Sequence, residues 1–230
     1  MLHLVLAEAE IELMPRELRG HLAVGKHAQR EGKDPGRVLL DTNYHYQAMR
    51  KLPDAERRGR PDIAHMCLVL AQDSVLNLEK RLRVHIHTRH DELITVAPET
   101  RIMRAQHRFY GLLENLFRDG RAPADPNERA LLTLERKVPL QDAVKRTGAK
   151  VVLGFSEKGE RNSLVPRLKD AKASGAEDVA VVIGAFPHGD FRSKLDFCSA
   201  MVSVHEQQLS AWTVVAQVLD AYERVQGLHD

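Results

Sequence analysis

The apolar and polar positions along the 230-residue chain predict alternating strands and helices. Short apolar runs at residues 2–6 and 37–41 are typical of buried strands. Helical spacing covers residues 15–32, and Pro61 opens a further helix to about residue 74 because proline suits the first turn of a helix. The first third of the chain therefore has mixed α/β character.

The middle of the chain predicts a hairpin and one amphipathic helix. Residues 82–88 alternate as in a strand with one polar face, and residues 93–97 form its hairpin partner or neighbour. Residues 106–117 have apolar side chains at helical spacing, with Gly120 as the stop signal. Residues 119–127 are rich in Gly, Pro and Asp and predict an exposed loop.

From residue 131 onward the pattern becomes β-α. It predicts strands at 131–134, 150–153 and 179–183, a short helix between the first two, and helices at 164–174 and 208–226. The strand at 179–183 is apolar on both faces, as in a parallel sheet. Since no repeat or linker divides the chain, we expect residues 1–230 to form one α/β domain.

Composition narrows the class of protein. A chain with 43% hydrophobic and 29% charged residues is typical of a globular protein. Cys67 and Cys198 are too few for a disulfide framework, and reduced thiols favour a cytoplasmic location. We expect no membrane span, since no apolar run is long enough. Glu8, Glu10 and Glu12 interrupt the first apolar run, which argues against a signal peptide.

Positive charge is concentrated locally although the net charge is only +2. Residues 50–60 hold five Lys and Arg against two acids, and residues 101–108 hold three arginines and His107 with no acid. Such patches on a nearly neutral body fit a polyanion with a defined docking face.

Two apolar strands lead into glycine-containing polar turns, at residues 154–159 and 184–189. In open α/β sheets, ligands bind beyond the carboxyl ends of strands, where glycine allows close backbone approach, although most such junctions are only structural. Neither turn reads G-x-G-x-x-G or a Walker A loop, which disfavours dinucleotide and nucleoside triphosphate binding, and a dehydrogenase with it.

Two groups of charged residues are open to two interpretations. Arg101, Arg104 and Arg108 would share one face if the stretch is helical, either as a solvated surface or as a row that contacts RNA phosphates. Arg60 and Asp62 flank Pro61, where they could cap a helix or form part of a site.

The histidines give little support for a metal site. His85 and His87 lie on one face of a predicted strand with His90 nearby, but no Cys or carboxylate stands at a zinc spacing. We therefore expect no metal. Ser156, Glu157 and His188 show no legible catalytic-triad order.

Several segments together resemble one family. They read LLDTNYH at 39–45, RRGRPDI at 57–63, PETR at 98–101, SEKG at 156–159, PHGDF at 187–191 and SVHEQQLSAWTV at 203–214. In this order they resemble the ribosome-biogenesis N1-specific pseudouridine methyltransferases of archaea and eukaryotes, which belong to the SPOUT, or α/β-knot, class. The resemblance covers nearly the whole chain, is closest to the archaeal branch, and is weakest at residues 120–129.

The resemblance implies a mostly parallel sheet flanked by helices, with a C-terminal trefoil knot at about residues 150–230 and a β-α extension at about 42–104. It implies a homodimer through knot-side helices and S-adenosylmethionine as cofactor. The implied cofactor-binding residues, mostly through backbone groups, are Phe155, Gly184, Gly189, Val202, Ser203, Val204, His205, Glu206, Gln207 and Leu209. Gln207 and Gln208 depart from the acid or proline of many relatives, so no side-chain role is carried over there.

The resemblance also implies the substrate and the residues that contact it. Arg60 would contact the target nucleotide, Asp62 would orient Arg60, and both count as catalytic; Arg60, Arg101, Arg104 and Arg108 would bind RNA. The implied reaction is methylation of N1 of a pseudouridine in small-subunit ribosomal RNA. The alternative is a non-catalytic RNA-binding factor that acts in ribosome assembly, with assembly proteins as further partners.

Overall fold

The computed structural model describes residues 1–228. Its single sheet contains β1 (Leu2–Ala9), β2 (Leu82–Thr88), β3 (Glu92–Val96), β4 (Arg121–Ala122), β5 (Leu132–Arg136), β6 (Val151–Arg161), β7 (Val179–Gly184) and β8 (Ala200–Ser203). The strands lie in the order β4-β5-β3-β2-β1-β7-β6-β8. From β2 to β8 all neighbours are parallel, whereas β3, β5 and β4 extend the other end by antiparallel pairing.

Helices cover both faces of this sheet. They are α1 (Leu22–Glu31), α2 (Thr42–Met49), α3 (Pro61–Gln72), the single turn α4 (Val75–Leu78), α5 (Gln106–Asp119), α6 (Leu140–Lys145), α7 (Leu164–Ala173) and α8 (Ala211–Gln226). Pro61 occupies the first turn of α3, and Gly120 ends α5 with a left-handed φ of 75°. Helix α3 thus begins, and helix α5 ends, at a signal that the sequence provides.

Strand β1 lies at the centre of the core. All eight of its residues are buried. Leu2, Leu4 and Leu6 belong to the large cluster that includes apolar residues of α3 and α8, while Val5 and Ala7 pack on the other face with residues of α6 and β7. The strand predicted at 179–183 is likewise buried on both faces and pairs in parallel with β1. Both predictions are confirmed.

Residues 37–41 do not form the predicted strand. Leu39 makes one isolated bridge to Leu13, and the segment otherwise runs without sheet partners. Val38, Leu39 and Leu40 are all buried, with Leu39 and Leu40 in different apolar clusters. Their apolar character therefore reflects burial of a connecting segment, which a short apolar run cannot distinguish from a buried strand.

The predicted turn at 154–159 is also wrong. Strand β6 continues to Arg161, with a shift of register between Phe155 and Glu160 opposite Val202 of β8. The pattern did not predict β8 itself, which has only four residues, two of them fully buried. Helix α8 begins at Ala211, three residues later than predicted.

On the polar face of β2, His85 packs against a histidine of the neighbouring strand β1. His85 stacks on His3 of β1 with ring centroids 5.8 Å apart, and neither ring nitrogen of His85 has a hydrogen-bond partner among residues 1–228. Burial, with smaller contributions from the charges of His3 and Arg83, lowers the pKa of His85 to about 4. The folded protein therefore holds this imidazole neutral.

We predict that His85→Leu makes the protein less sensitive to acid. The unfolded chain protonates His85 near its ordinary pKa of 6.5, whereas the folded chain resists protonation to about pH 4, so stability falls as the pH drops through this window. Between pH 6.5 and 5 the histidine costs about 2 kcal/mol of unfolding free energy. Denaturant titrations of wild type and variant at pH 7.5 and 5 measure this, with His188→Leu, at an exposed histidine, as control. An equal loss in wild type and His85→Leu would contradict it.

Candidate functional site

A pocket lies at the carboxyl end of β7 and beside residues 155–157 in the middle of β6, and it is closed by β8 and the start of α8. Its walls combine aromatic and aliphatic side chains with the backbone of two loops. They are formed by Phe155, Ser156, Glu157, Ile183, Gly184, Phe186, Gly189, Asp190, Phe191, Val202, Val204, His205, Gln207, Gln208, Leu209, Ala211 and Val214. Open parallel sheets place ligands at this end of their strands.

Eight of the ten residues implied as cofactor contacts line this pocket. The exceptions are Ser203 and Glu206. Ser203 is buried, and its hydroxyl donates a hydrogen bond to the His205 carbonyl at 2.7 Å, so it shapes the turn after β8. Glu206 is exposed and forms an ion pair with Arg161 at 3.3 Å. The structure thus brings together residues that are up to 54 positions apart in the sequence, from Phe155 to Leu209.

Close backbone approach in the pocket depends on glycine. A Cβ added to Gly184 would lie 2.5 Å from the ring of Phe186, which folds back across the end of β7. Gly189 has a φ of 86°, a region that side chains disfavour. Phe186 meets Phe191 edge to face at 5.3 Å. Residues 184–191, the cofactor loop hereafter, therefore pack tightly and present backbone groups and aromatic rings to the pocket.

A buried ionic network connects this loop to the end of β1. Arg57 donates hydrogen bonds from Nη2 to Glu8 at 2.6 Å and from Nε to Glu10 at 2.7 Å. Its Nη1 donates to the Asp190 carbonyl at 2.6 Å, and its guanidinium carbon lies 3.7 Å from the centroid of the Phe186 ring. One side chain thus joins β1 to the cofactor loop.

Glu8 holds the segment just beyond the cofactor loop. Its carboxylate accepts hydrogen bonds from the backbone amides of Arg192 at 3.0 Å and Ser193 at 2.7 Å. Glu8 has a φ of 51°, which is uncommon for a residue with a side chain. The last residues of β1 therefore turn so that a carboxylate reaches the loop.

Two of the five cations in the basic stretch at 50–60 are not available to a polyanion. Arg57 and Arg58 are buried, and Arg58 donates two hydrogen bonds to Glu12, at 2.8 and 2.7 Å. Burial raises the pKa of Glu12, but hydrogen bonds from Arg58 and His90 outweigh this and lower it to about 2. The carboxylates that neutralise these arginines lie more than 40 residues earlier, on β1 and the residues after it.

Arg60 and Asp62 form a planar, doubly hydrogen-bonded pair. Arg60 is the N-cap of α3 and donates from Nε and Nη2 to the two carboxylate oxygens of Asp62, both at 2.8 Å. These bonds raise the pKa of Arg60. Both side chains remain partly exposed. The pair therefore fixes the direction of a guanidinium that solvent and ligands can still reach.

Arg101, Arg104 and Arg108 are all exposed, but helical spacing does not align them. Helix α5 begins at Gln106, so Arg101 and Arg104 lie on the preceding loop and only Arg108 is helical. Arg104 is 85% exposed and makes one ion pair, to Asp73 at 3.4 Å. Their guanidiniums are thus accessible to a partner molecule. Arg104 and Asp62 both line one cavity.

Two cavities adjoin this region. The larger, of about 650 Å³, is lined by Asn43, Asp62, His65, Met66, Val69, Leu70, Arg104, Gln106 and Trp212. Trp212 follows Ala211 of the cofactor-loop pocket, so both sites include a residue of the first turn of α8. The second, of about 290 Å³, shares Asn43 and Gln106 with the first. Sequence reasoning assigned no role to Asn43, Gln106 or Trp212, although two of them stand inside quoted motifs.

The described residues, 1–228, contain neither a candidate metal site nor a candidate membrane span. Within that range no three His, Cys, Asp or Glu side chains are grouped so that they could hold a metal ion. No helix in the same range is long and apolar enough to cross a membrane.

The mostly parallel sheet flanked by helices, with a glycine-lined pocket at the carboxyl end of β7, is the arrangement expected of an α/β-knot methyltransferase. A solved structure shares the fold: Archaeoglobus fulgidus Nep1 bound to S-adenosylhomocysteine, with a TM-score of 0.85, 40% identity, and coverage of 97% of this chain and 98% of that one. The predicted fold class is confirmed.

The chain belongs to the EMG1/NEP1 methyltransferase family, whose model matches residues 4–223. Relatives named "Ribosomal RNA small subunit methyltransferase Nep1" include those of Thermococcus kodakarensis, 43% identical over 99% of this chain and 100% of the relative, and Pyrococcus furiosus, 42% identical over 96% of both. The predictions of this family and of a methyltransferase enzyme are confirmed.

Proposed function

We propose that this protein uses S-adenosylmethionine to methylate N1 of a pseudouridine in small-subunit ribosomal RNA, as a step of ribosome biogenesis. One observation carries the proposal. The pocket of the cofactor loop is lined by Ala211, and the cavity that contains Asp62 and Arg104 is lined by Trp212, the next residue of α8. A methyl donor and an RNA base could therefore meet at the start of α8.

The pocket suits S-adenosylmethionine by its chemistry. Phe155, Val204 and Leu209 offer apolar surface for an adenine ring, while Gly184 and Gly189 add backbone to the pocket wall. When bound, the cofactor supplies a methyl group on a sulfonium. The Archaeoglobus fulgidus Nep1 structure is bound to S-adenosylhomocysteine, the demethylated product of that cofactor, which supports the assignment.

We assign charge stabilisation to Arg60. When N1 of pseudouridine loses its proton, negative charge spreads to the ring oxygens. A guanidinium near one of these oxygens stabilises that charge, and Asp62 keeps it in a fixed plane before substrate arrives. Asp62 thus acts by orienting Arg60.

We predict that Arg60→Ala lowers methyl transfer to a pseudouridine-containing hairpin by about a hundredfold or more, the loss typical of a removed transition-state donor. S-adenosylmethionine affinity should change little, because Arg60 does not line the cofactor pocket. Arg118→Ala is the matched control, since Arg118 makes the same twofold hydrogen bond, to Asp119, on the surface.

Radiolabelled methyl transfer and calorimetry measure the two effects. Undiminished transfer by Arg60→Ala would remove Arg60 from the reaction. Wild-type protein that binds cofactor and RNA without transferring a methyl group would favour the non-catalytic assembly factor.

Arg101, Arg104 and Arg108 are proposed to contact RNA phosphates, since all three are exposed and only Arg104 forms an ion pair within residues 1–228. Replacing the three by alanine should reduce the magnitude of the slope of log affinity against log salt concentration by about two to three, which is slightly less than one unit for each lost phosphate contact. The control replaces three other exposed cations, Lys145, Arg146 and Lys150. Equal slopes in the two variants, measured by filter binding, would place the arginines outside the interface.

We propose a homodimer that pairs through α3 and α8. Met66 and Leu70 are each at least 40% exposed on α3, beside Trp212 of α8, and an apolar surface of this kind typically marks an interface. Because these residues line the same cavity as Asp62 and Arg104, the proposed base-binding site would lie at the edge of that interface.

Leu70→Asp should shift the protein toward monomer because it buries a charge in the proposed interface. Leu22→Asp, at an even more exposed leucine on α1, should leave the dimer intact. Sedimentation equilibrium measures the mass of each. A monomeric wild type, or equal dissociation of both variants, would contradict the proposal.

We further propose that the chain is one domain and works in the cytoplasm. One continuous sheet that includes β1, β2 and β7 supports the first statement. Cys67 and Cys198 are free thiols, which supports a reducing compartment.

A further inference from the structure

The layer formed by α1 and α2 carries more positive charge than the rest of the protein. Residues 16–51 contain eight Lys and Arg and four Asp and Glu, a net charge of +4, whereas the whole chain carries +2. The remainder is therefore slightly acidic. Unlike Arg57 and Arg58, most of these cations are exposed, among them Lys26, Arg30, Arg37 and Arg50.

One of these cations contacts an exposed aromatic side chain, and a second lies one helical turn away from it. Lys26 and Arg30 are one turn apart on α1 and so lie on the same face of the helix. The guanidinium of Arg30 lies over the ring of Tyr44 on α2, at 5.1 Å from its centroid. Tyr44 also stacks on His27, with centroids 4.2 Å apart, and remains 45% exposed. The tyrosine is thus held in place while much of its surface is available.

Tyr44 forms one wall of the 290 Å³ cavity. The other walls are His27, Glu31, Lys33, Asp41, Asn43, Gln106, His107, Tyr110 and Glu114. A water molecule takes up about 30 Å³ in the liquid, so the space suits a ring-sized group far better than a single water. Because Asn43 and Gln106 also line the cavity that contains Asp62 and Arg104, the two spaces are neighbours.

The charges of the cavity favour a base over a phosphate inside it. Glu114 accepts hydrogen bonds from Lys33 at 2.6 Å and from the Leu39 amide at 3.0 Å, and Asp41 accepts one from the Asn43 amide at 2.7 Å. Three carboxylates against one lysine would repel a phosphate. Oxygens of Glu31 and Asn43 could instead accept hydrogen bonds from the N–H groups of a base edge.

We propose that this region binds the RNA nucleotides that flank the methylated pseudouridine. One flanking base enters the cavity and packs against Tyr44, and the adjoining phosphates contact Lys26 and Arg30. The RNA track then runs from Arg104, past Asn43 and Gln106, to the outer face of α1. This inference rests on the proposed RNA methyltransferase function and adds a second nucleotide-binding site to it.

The test compares two tyrosines of one helix. Tyr44→Ala should weaken binding of a pseudouridine hairpin by about fivefold to a hundredfold, the range for loss of one base–aromatic contact. Tyr46→Ala should change it less than about twofold, because Tyr46 is 62% exposed on α2 but does not line the cavity. Thermal melting of both variants checks that the fold is retained. Equal affinities for Tyr44→Ala and Tyr46→Ala would overturn the proposal.

RNAs with a single abasic nucleotide identify which base enters the cavity. At the position that fits there, the abasic RNA should bind wild type as weakly as the intact RNA binds Tyr44→Ala, and the two changes together should add no further loss. Additive losses at every position within three nucleotides of the pseudouridine would contradict the base pocket.

The phosphate contacts are tested separately. The double variant Lys26→Ala and Arg30→Ala should lower the salt slope by about 1.4 to 1.8, as expected for two phosphate contacts. The control is Lys145→Ala with Arg146→Ala on α6, and equal slopes would remove α1 from the RNA track. Failure of the proposed function would look different, since wild type would then not methylate the parent hairpin at all.

Discussion

The rest of the structure depends on one constraint, the neutralisation of buried charge between β1 and the segment before α3. Glu8, Glu10 and Glu12 would be costly to bury alone, and so would Arg57 and Arg58. Together they satisfy one another, and Arg89 adds a further hydrogen bond to Glu10. Such a network permits few alternative arrangements, because removing any member leaves a desolvated charge without a partner.

This network explains why the two halves of the candidate site are held together. Arg57 contacts the carbonyl of Asp190 and the ring of Phe186 in the cofactor loop, and Arg60 lies three residues further along the same segment. The backbone amide of Arg60 also donates to the Glu10 carbonyl at 3.1 Å. The loop that lines one pocket and the arginine beside the other are therefore positioned by the same two acidic residues, Glu8 at the end of β1 and Glu10 just after it.

Sequence patterns predicted the parts of the fold that depend on residues close to one another in the sequence. Pro61 and Gly120 mark helix ends through local backbone geometry, and the five consecutive apolar residues at 179–183 match a strand that is buried on both faces. The errors have long-range causes. Arg57 and Arg58 read as surface charge because their carboxylate partners lie 46 to 49 residues away. The family resemblance grouped most pocket residues, but it gave no sign of the cavity between α2 and α5, whose walls come from motifs and from unremarkable helix positions alike.

The Arg60–Asp62 pair has a stereochemical consequence. A guanidinium carries five N–H groups in one plane, and Asp62 occupies two of them along the edge formed by Nε and Nη2. An acceptor oxygen can then approach in only one plane and from the side away from Asp62. A planar base that accepts a hydrogen bond from this edge must therefore lie close to the guanidinium plane, so the pair restricts the tilt of the ring before any chemistry begins.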